Sequence, residues 1–216
     1  MIRWIAIEGP IGAGKTTLSR ALAEHLGFSC MLENVQGHPF LDRFYEDPKR
    51  WAFQTESFFL IDRYEQIRAY RDDMLEKGVV SDYHLLKNLI FAEATLDQET
   101  FKVYRQMVQT LTATMPRPAM IVYIRASLPT LLERIKKRGR PFEQAIDPHY
   151  LATIATRYEQ VFAKGNLISN RYPEFEHPQS ILTIDGDTID FVADKTSLQH
   201  ILTTIEKHFY ALKQYT

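Results

Sequence analysis

Short apolar runs alternate with longer segments of helical periodicity along this chain of 216 residues. Runs rich in β-branched and aromatic side chains predict strands at residues 2–7, 28–32, 79–81, 119–124 and 180–184. Apolar positions three or four residues apart predict helices at residues 17–26, 50–77, 85–96, 98–114, 148–163 and 197–212, and a further helix that begins after Ser127. Strands that alternate with helices indicate an α/β fold, with a five-stranded parallel sheet covered by helices on both faces.

The ends of the predicted strands carry polar groups suited to chemistry. A glycine-rich loop follows the first strand, Glu33 follows the second, Asp82 the third and Asp185 the fifth, whereas the fourth ends in Arg125. In doubly wound sheets, ligands bind beyond the carboxyl ends of the strands. We therefore expect the functional site at this edge.

The loop after the first strand fits G-x-x-x-x-G-K-[ST] without a mismatch. Its residues are Gly9, Pro10, Ile11, Gly12, Ala13, Gly14, Lys15, Thr16 and Thr17. In a strand–loop–helix setting, the backbone N–H groups of such a loop surround a polyphosphate, and the helix N-terminus adds partial positive charge. We expect Lys15 to contact the β and γ phosphates of a nucleoside triphosphate and the Thr16 hydroxyl to bind Mg²⁺. The alternative is a glycine-rich turn before an ordinary helix.

Composition narrows the classes of partner. The net charge of −1 offers no electrostatic reason to bind nucleic acid or an anionic membrane, and no apolar stretch is long enough to span a bilayer. The single cysteine, Cys30, excludes an intramolecular disulfide and suits a reducing compartment. The first strand starts at the N-terminus, so we expect no leader peptide and a cytoplasmic protein. The histidines show no metal-binding spacing, so a protein-ligated transition-metal site is not expected.

Two acidic residues and one basic run fit phosphoryl transfer. The reaction needs a carboxylate for the acceptor's proton and a metal to neutralise charge, so Glu33 and Asp82 are candidates for separate roles. The alternative is that one of them is a solvated loop acid. Residues 134–143 carry a dense basic run interrupted by Gly139 and Pro141, which suggests a mobile lid over the γ-phosphate. The alternative for this run is the solvated end of a helix.

The segment from Tyr45 to Gln54 mixes aromatic and hydrogen-bonding side chains. Trp51 and Phe53 suit a core, but Gln54 lies among Phe53, Phe58 and other apolar residues early on a long helix. A buried amide needs a partner, and the edge of a nucleobase would supply one.

Taken in order, these motifs resemble the deoxynucleoside kinase family over essentially the whole chain. They are the phosphate loop, Glu33, Tyr-x-x-P-x-x-W-x-F-Q at 45–54, the acid after the third strand, and R-x-x-x-R-G-R-x-x-E at 134–143. The resemblance implies one P-loop kinase domain over residues 1–216 with an arginine-rich lid at about 134–147. It also implies ATP and Mg²⁺ as cofactors and a homodimer.

The resemblance also implies roles for individual residues. Glu33 would be the general base for the nucleoside 5′-hydroxyl, and Thr16 and Asp82 would hold Mg²⁺. Tyr45 and Glu143 would bind the sugar 3′-hydroxyl. Gln54 would bind the base edge, with Phe58 nearby and Phe91 stacked on the base. Lys15, Arg138 and Arg140 would be the catalytic cations. Beyond the phosphate loop, the groups expected to contact ATP are Arg134, Arg138, Arg140, Asp185, Gly186 and Asp187.

The chain departs from the family after the third strand. Family members often have an acid followed by arginine and serine there, whereas this sequence has Asp82, Tyr83 and His84. Lys87, one helical turn later, is a candidate to replace the positive charge of the missing arginine. The stretch at 81–92 most resembles bacterial deoxyguanosine kinases. Ser57 and Ile61, one and two turns beyond Gln54, would not crowd a purine. We therefore expect deoxyguanosine as the main acceptor, with deoxyadenosine or broad specificity as the alternative.

Other function classes fit the residues less well. A GTPase-type switch would carry N-K-x-D and D-x-x-G motifs, which the sequence lacks. A catalytically silent relative would be expected to lose Lys15, Glu33 or the lid arginines, and all are present. A nucleoside monophosphate kinase is the nearest enzymatic alternative, but it needs a further basic site for the acceptor phosphate.

Overall fold

The computed structural model describes residues 2–144, 146–162, 171–175, 180–189, 191 and 194–212. Its strands form one parallel sheet in the order β2-β3-β1-β4-β5. They are β1 (Trp4–Glu8), β2 (Ser29–Met31), β3 (Val79–Ser81), β4 (Met120–Arg125) and β5 (Ser180–Asp185). The predicted α/β fold with a five-stranded parallel sheet is confirmed.

The helices lie between the strands, as the alternating pattern predicts. They are α1 (Lys15–Leu26), α2 (Leu41–Glu46), α3 (Pro48–Ala69), α4 (Arg71–Glu76), α5 (Leu86–Thr95), α6 (Gln98–Thr112), α7 (Leu128–Arg138), α8 (Pro148–Phe162) and α9 (Lys195–Leu212). Short 3₁₀ turns occur at Pro141–Glu143 and Pro173–Phe175. Between the predicted helix at 148–163 and the predicted strand at 180–184, the sequence at 165–178 indicates irregular structure, and most of this segment lies outside the described residues.

The long helix predicted at 50–77 is two helices. The first, α3, ends at Ala69, and α4 begins at Arg71, with a break at Tyr70 (φ −91°, ψ 5°). The apolar period continues across the break because Ile67 and Met74 are both buried in the same core. Periodicity records which side chains are buried, and it does not detect a change of helix axis at one residue.

Side-chain alternation on β1 divides the core into two layers. Trp4 and Ala6 belong to the cluster on one face of the sheet, whereas Ile5 and Ile7 belong to the cluster on the other. Successive side chains on a strand point to opposite faces, so a strand apolar at every position is covered on both sides. This burial fixes β1 in the middle of the sheet.

The central position of β1 determines where a ligand can bind. The chain places β3 on one side of β1 and β4 on the other. The loops that leave these strands therefore diverge at the carboxyl edge and open a crevice there. The glycine-rich loop and Asp82 both border this crevice.

Candidate active site

A cavity of about 800 Å³ occupies this crevice. Its size is typical of sites that enclose small molecules. The residues expected from sequence that line it are Ile11, Gly12, Gly14, Lys15, Thr16, Thr17, Glu33, Tyr45, Asp82, Phe91, Arg134, Arg138, Arg140, Glu143, Gly186 and Asp187. The structure thus brings the phosphate loop, both candidate acids and the basic run to one cavity.

The phosphate loop is shaped by close backbone approach. Gly9 has a φ of +151°, and a Cβ atom at this position would lie 2.6 Å from the carbonyl oxygen of Ile124 on β4. Only glycine fits such a position. Gly14, with a φ of +98°, then leads into α1, so the first N–H groups of that helix face the cavity end of the loop.

Lys15 lies folded over the loop that precedes it. Its Nζ atom donates to the carbonyl oxygens of Gly9 at 2.7 Å and Pro10 at 2.8 Å. Burial and the nearby Lys87 lower the pKa of Lys15 to about 8, against the opposing effect of surrounding carboxylates. An ammonium has three donors, so a third remains to contact a phosphate in the cavity.

Asp82 joins the phosphate loop to the segment after β2. Its Oδ2 atom accepts from the Thr16 hydroxyl at 2.6 Å, and its Oδ1 atom accepts from the backbone N–H of Glu33 at 2.7 Å. Asp82 is buried at the end of β3, between the two segments that it joins. One carboxylate therefore sets the spacing between Thr16 and Glu33.

Two cations hold the Glu33 carboxylate. Lys87 Nζ donates to its oxygens at 2.9 and 2.7 Å, and Arg63 donates from Nε at 3.0 Å and also from Nη2. Burial acts to raise the pKa of Glu33, but Lys87 and Arg63 outweigh it and hold the pKa far below its usual range. Lys87 thus brings a positive charge to Glu33, and Glu33 is ionised at physiological pH.

Glu8, the last residue of β1, forms hydrogen bonds to segments that border the site. Its buried carboxylate accepts from the N–H of Gly9 at 3.2 Å, from the N–H of His84 at 2.5 Å and from the Tyr158 hydroxyl at 2.9 Å. Burial raises the pKa of Glu8, opposed by Lys87 and Lys15. The contacts tie the start of the phosphate loop to the loop after β3.

The basic run forms the end of α7 and the turn that follows. Arg138 Nε donates to Glu143 at 2.9 Å, and Arg140 Nη1 donates to the same carboxylate at 3.3 Å. Glu143 is buried, and the ring of Tyr45 stacks on Phe142 with centroids 6.1 Å apart. Tyr45 and Glu143 therefore border the same part of the cavity.

Arg134 connects α7 to two loops. Its guanidinium donates to the carbonyl oxygens of Ala13 at 3.2 Å and Gly186 at 2.8 Å. Asp187 lines the cavity and accepts from the N–H of Ser127 at 2.9 Å. Asp185 instead pairs with Arg125 at 2.7 Å on the surface and does not line the cavity, so it acts on this loop indirectly.

Other members of the expected set lie away from the cavity surface. Gly9, Pro10 and Ala13 are buried within the loop and shape its backbone. Gln54 is exposed on α3, and Phe58 packs on His38, with ring centroids 4.6 Å apart. Neither Gln54 nor Phe58 lines the cavity. The expectation that Gln54 is a buried amide at the base end is therefore wrong.

Helix geometry explains this correction. Residues two apart on an α-helix point about 200° apart, so Gln54 and Glu56 occupy opposite sides of α3. Glu56 is buried and lines the cavity, whereas Gln54 faces out. Ile61, expected near the base, is 49% exposed and does not line the cavity either.

Sequence reasoning missed Arg63, Glu56 and Phe59, which all line the cavity. A signal for them was present in the helical pattern. Glu56 and Arg63 are seven residues apart and share the buried side of α3 with Ala52, Phe59 and Leu60. Charged residues on an otherwise apolar helix face are rarely buried without a partner or a function.

The residues at the mouth of the loop suit Mg²⁺. The Thr16 hydroxyl and the Asp82 carboxylate are 2.6 Å apart, and both offer oxygen ligands. Within the described ranges, no three His, Cys, Asp or Glu side chains cluster as a metal site would require. Mg²⁺ usually takes one or two protein oxygens and completes its shell with phosphates and water, so Thr16 and Asp82 would be sufficient to hold it.

Comparison with known proteins agrees with the site. A family model described as deoxynucleoside kinase matches residues 5–210. The deoxyguanosine kinase of Bacillus subtilis is 45% identical over 94% of this chain and 96% of its own length. A deoxyadenosine kinase of Lactobacillus acidophilus is 33% identical over 96% of each chain.

Solved structures show the same fold. The structure of M. mycoides deoxyadenosine kinase with bound dATP aligns with a TM-score of 0.78 at 25% identity, over 94% of this chain and 99% of the other. No helix in the part of the chain that the structure describes is long and apolar enough to span a membrane. On its sequence match, its fold and its site, the chain belongs to the deoxynucleoside kinase family.

Proposed function

We propose that this protein phosphorylates the 5′-hydroxyl of a purine deoxynucleoside, deoxyguanosine above all, with ATP as donor. The observation that carries the proposal is the double contact of Asp82 with Thr16 and with the backbone of Glu33. Thr16 belongs to the phosphate loop, and Glu33 lines the same cavity as a carboxylate suited to orient an acceptor hydroxyl. A single side chain therefore couples the donor and acceptor halves of the cavity.

The donor half suits a triphosphate. Lys15 and the first N–H groups of α1 face the cavity, and Arg138 and Arg140 approach from the basic run. Phosphoryl transfer is catalysed mainly by positioning and by cations around the transferring group. Mg²⁺ held by Thr16 and Asp82 would supply further neutralisation of phosphate charge.

The acceptor half suits a hydroxyl nucleophile. Glu33 stays ionised, so it accepts a hydrogen bond from a 5′-hydroxyl at any pH at which the enzyme works. Its depressed pKa makes it a weak base before the reaction. This is consistent with a loose transition state, in which the nucleophile becomes acidic only as its bond to phosphorus forms. Glu33 would therefore orient the 5′-hydroxyl first and accept its proton later, as the bond to phosphorus forms.

The acceptor half suits a nucleoside better than a nucleotide. A monophosphate acceptor would need cations for its phosphate, but Arg63 and Lys87 are already paired with Glu33. The relatives named above include both deoxyguanosine and deoxyadenosine kinases. Deoxyadenosine is therefore the second candidate substrate, and the higher identity to the deoxyguanosine kinase of B. subtilis favours deoxyguanosine.

Several finer features belong to the same proposal. We infer a homodimer and cytoplasmic action from the family resemblance and the composition. Residues 1–216 would form one kinase domain. The segment at about 134–147, within which residue 145 lies outside the described ranges, would act as a lid whose arginines close over the γ-phosphate. Sedimentation equilibrium of the purified protein tests the dimer.

Steady-state kinetics with the four deoxynucleosides, ATP and Mg²⁺ test the proposed activity. We expect deoxyguanosine to give the highest kcat/KM, followed by deoxyadenosine. A pyrimidine that exceeds both purines by tenfold, a difference of about 1.4 kcal/mol in transition-state binding, would contradict the purine assignment. Turnover of deoxyguanosine monophosphate in place of the nucleoside would favour a monophosphate kinase.

A further inference from the structure

We infer that Glu56 is the specificity-determining residue for guanine, with its carboxylate accepting hydrogen bonds from the N1–H and N2–H groups of the base. The inference rests on the proposed function, because it assigns the base-binding end of the same cavity. Gln54, the residue expected for this role from sequence, faces away from the cavity.

The carboxylate of Glu56 is buried and available. The residue is 3% exposed and lines the cavity, and among the described residues its carboxylate interacts with Arg63 and Lys87 through charge alone, without an ion pair or hydrogen bond to either. Arg63, the nearest buried cation on the same helix, bonds to Glu33 instead. A buried polar group without a protein partner is costly, so a ligand with complementary donors is the expected partner.

The backbone of Glu56 is held in place by a chain of hydrogen bonds. The Tyr104 hydroxyl on α6 donates to the carbonyl oxygen of Glu56 at 2.9 Å. Asn88 Nδ2 on α5 donates to that hydroxyl at 2.9 Å. These bonds connect three helices, so the turn of α3 that carries Glu56 is fixed before a ligand binds. Such preorganisation is what selectivity between similar bases requires.

The surroundings of Glu56 complete a purine site. Phe59 and Phe91 line the same cavity and add apolar aromatic surface to its wall. Arg63 is 2% exposed, and its Nη1 atom has no hydrogen-bond partner among the described residues. Glu56 and Arg63 lie two turns apart on one side of α3, so a carboxylate that accepts hydrogen bonds and a guanidinium that donates them share one wall of the cavity.

Among the four DNA bases, only guanine presents two adjacent N–H donors on its pairing edge. Adenine presents one donor beside the N1 acceptor. This N1 atom would face a carboxylate oxygen, and neither atom carries a proton for a hydrogen bond. Cytosine and thymine each present a single donor on that edge. In its ionised form the Glu56 carboxylate accepts hydrogen bonds and donates none, so this form discriminates in favour of guanine and against the other three bases.

The protonation state of Glu56 should change when guanine binds. Burial raises the pKa of Glu56 to about 8, opposed by the cations Arg63 and Lys87 and reinforced by Glu33. Beyond these three, the titratable groups that interact with Glu56 are Tyr45, Tyr104 and Tyr150. Hydrogen bonds from guanine favour the ionised carboxylate, so deoxyguanosine binding at pH 7 should release a proton.

The test compares Glu56→Gln with wild type on deoxyguanosine, deoxyadenosine and deoxyinosine. Glu65→Gln makes the same chemical change at an exposed position of α3 outside the cavity, so it is the matched control. We expect Glu56→Gln to lower kcat/KM for deoxyguanosine by about 10²-fold, the size typical of losing charged hydrogen bonds. The same variant should keep or raise kcat/KM for deoxyadenosine, because an amide offers adenine both a donor and an acceptor. Glu65→Gln should match wild type.

Two measurements on the wild-type enzyme do not depend on the folding of a variant. Deoxyinosine lacks the N2 amino group, and we expect its kcat/KM to be about tenfold below that of deoxyguanosine. Calorimetry in buffers of different ionisation enthalpy should detect proton release when deoxyguanosine binds at pH 7. Equal kcat/KM for deoxyinosine and deoxyguanosine, or an unchanged preference for guanine in folded Glu56→Gln, overturns the inference. A wild-type protein that phosphorylates no deoxynucleoside overturns the proposed function itself.

Discussion

The donor and acceptor halves of the cavity are built in different ways. The donor half is built mainly on a continuous segment of nine residues, Gly9 to Thr17, which offers backbone N–H groups and the Lys15 ammonium, and Arg138 and Arg140 add cations from the basic run. The acceptor half combines Glu33 after β2, Glu56 and Arg63 on α3, and Lys87 on α5. These residues lie far apart in sequence, and most of them are buried and charged.

The difference follows from what each half binds. A polyphosphate is highly charged and much the same in every nucleotide, so a loop of N–H groups is sufficient to bind it. A nucleoside is neutral and differs from its competitors by a few hydrogen-bonding atoms. Discrimination therefore needs fixed, desolvated polar groups, and these are stable only when several elements pair them with one another.

Removing the ammonium of the donor half should have the largest effect on activity. We expect Lys15→Ala to lower kcat by about 10³-fold, because a preorganised cation at the transferring phosphate contributes on this scale. The dissociation constant for deoxyguanosine, measured by calorimetry, should change less than threefold. Lys77→Ala, an exposed lysine outside the cavity, is the control. A parallel loss of nucleoside affinity in Lys15→Ala would show that the two halves do not act separately.

Removing the acceptor carboxylate should have a smaller effect on turnover. We expect Glu33→Ala to lower kcat by about 10²-fold while ATP still binds, which is the usual contribution of a general base. Rapid-quench measurement of product formation, with ATP affinity measured in parallel, checks both parts. Circular dichroism shows whether the variant is folded, since Arg63 and Lys87 lose their partner. A kcat close to that of wild type would exclude Glu33 as the base.

The ion pairs of the acceptor half predict a pH dependence of stability. The pKa of Glu33 is depressed in the folded state, so its contribution is complete above about pH 4.5, the unfolded value, and is lost as the pH falls. Relative to Glu33→Gln, wild type should lose about 1.4 kcal/mol of unfolding free energy per pH unit below about pH 4.5. Urea denaturation of both proteins at pH 7, 5, 4 and 3 measures the difference. A difference that is the same at pH 5 and pH 3 would contradict the pairing.

Much of the fold was predictable because the signals are local. The strands cover nearly the ranges that their apolar runs predict, and α1 follows a loop whose glycines require positive φ. The carboxyl ends of parallel strands lie at one edge of a sheet, so the sequence alone predicts that the phosphate loop, Glu33 and Asp82 lie close together. The break at Tyr70 was not predicted, because the side chains before and after it share one core.

The base-binding end depended on which side of a helix faces inward. A linear motif records that Gln54 and Glu56 are close in sequence, but a rotation of about 200° separates them on α3. The packing of Ala52, Phe59 and Leu60 sets that rotation, and it turns Glu56 and Arg63 toward the cavity and Gln54 toward solvent.

By itself, the sequence determined the parallel α/β sheet, the phosphate loop with Lys15 and Thr16, and the acids at the strand ends. Each of these follows from local conformational preference or from the period of a strand or helix. Tertiary structure alone decided that Arg63 and Lys87 hold Glu33 and that Glu56 lines the cavity. Charges on separate elements meet only after the helices pack, and burial then makes their pairing strong enough to determine the site.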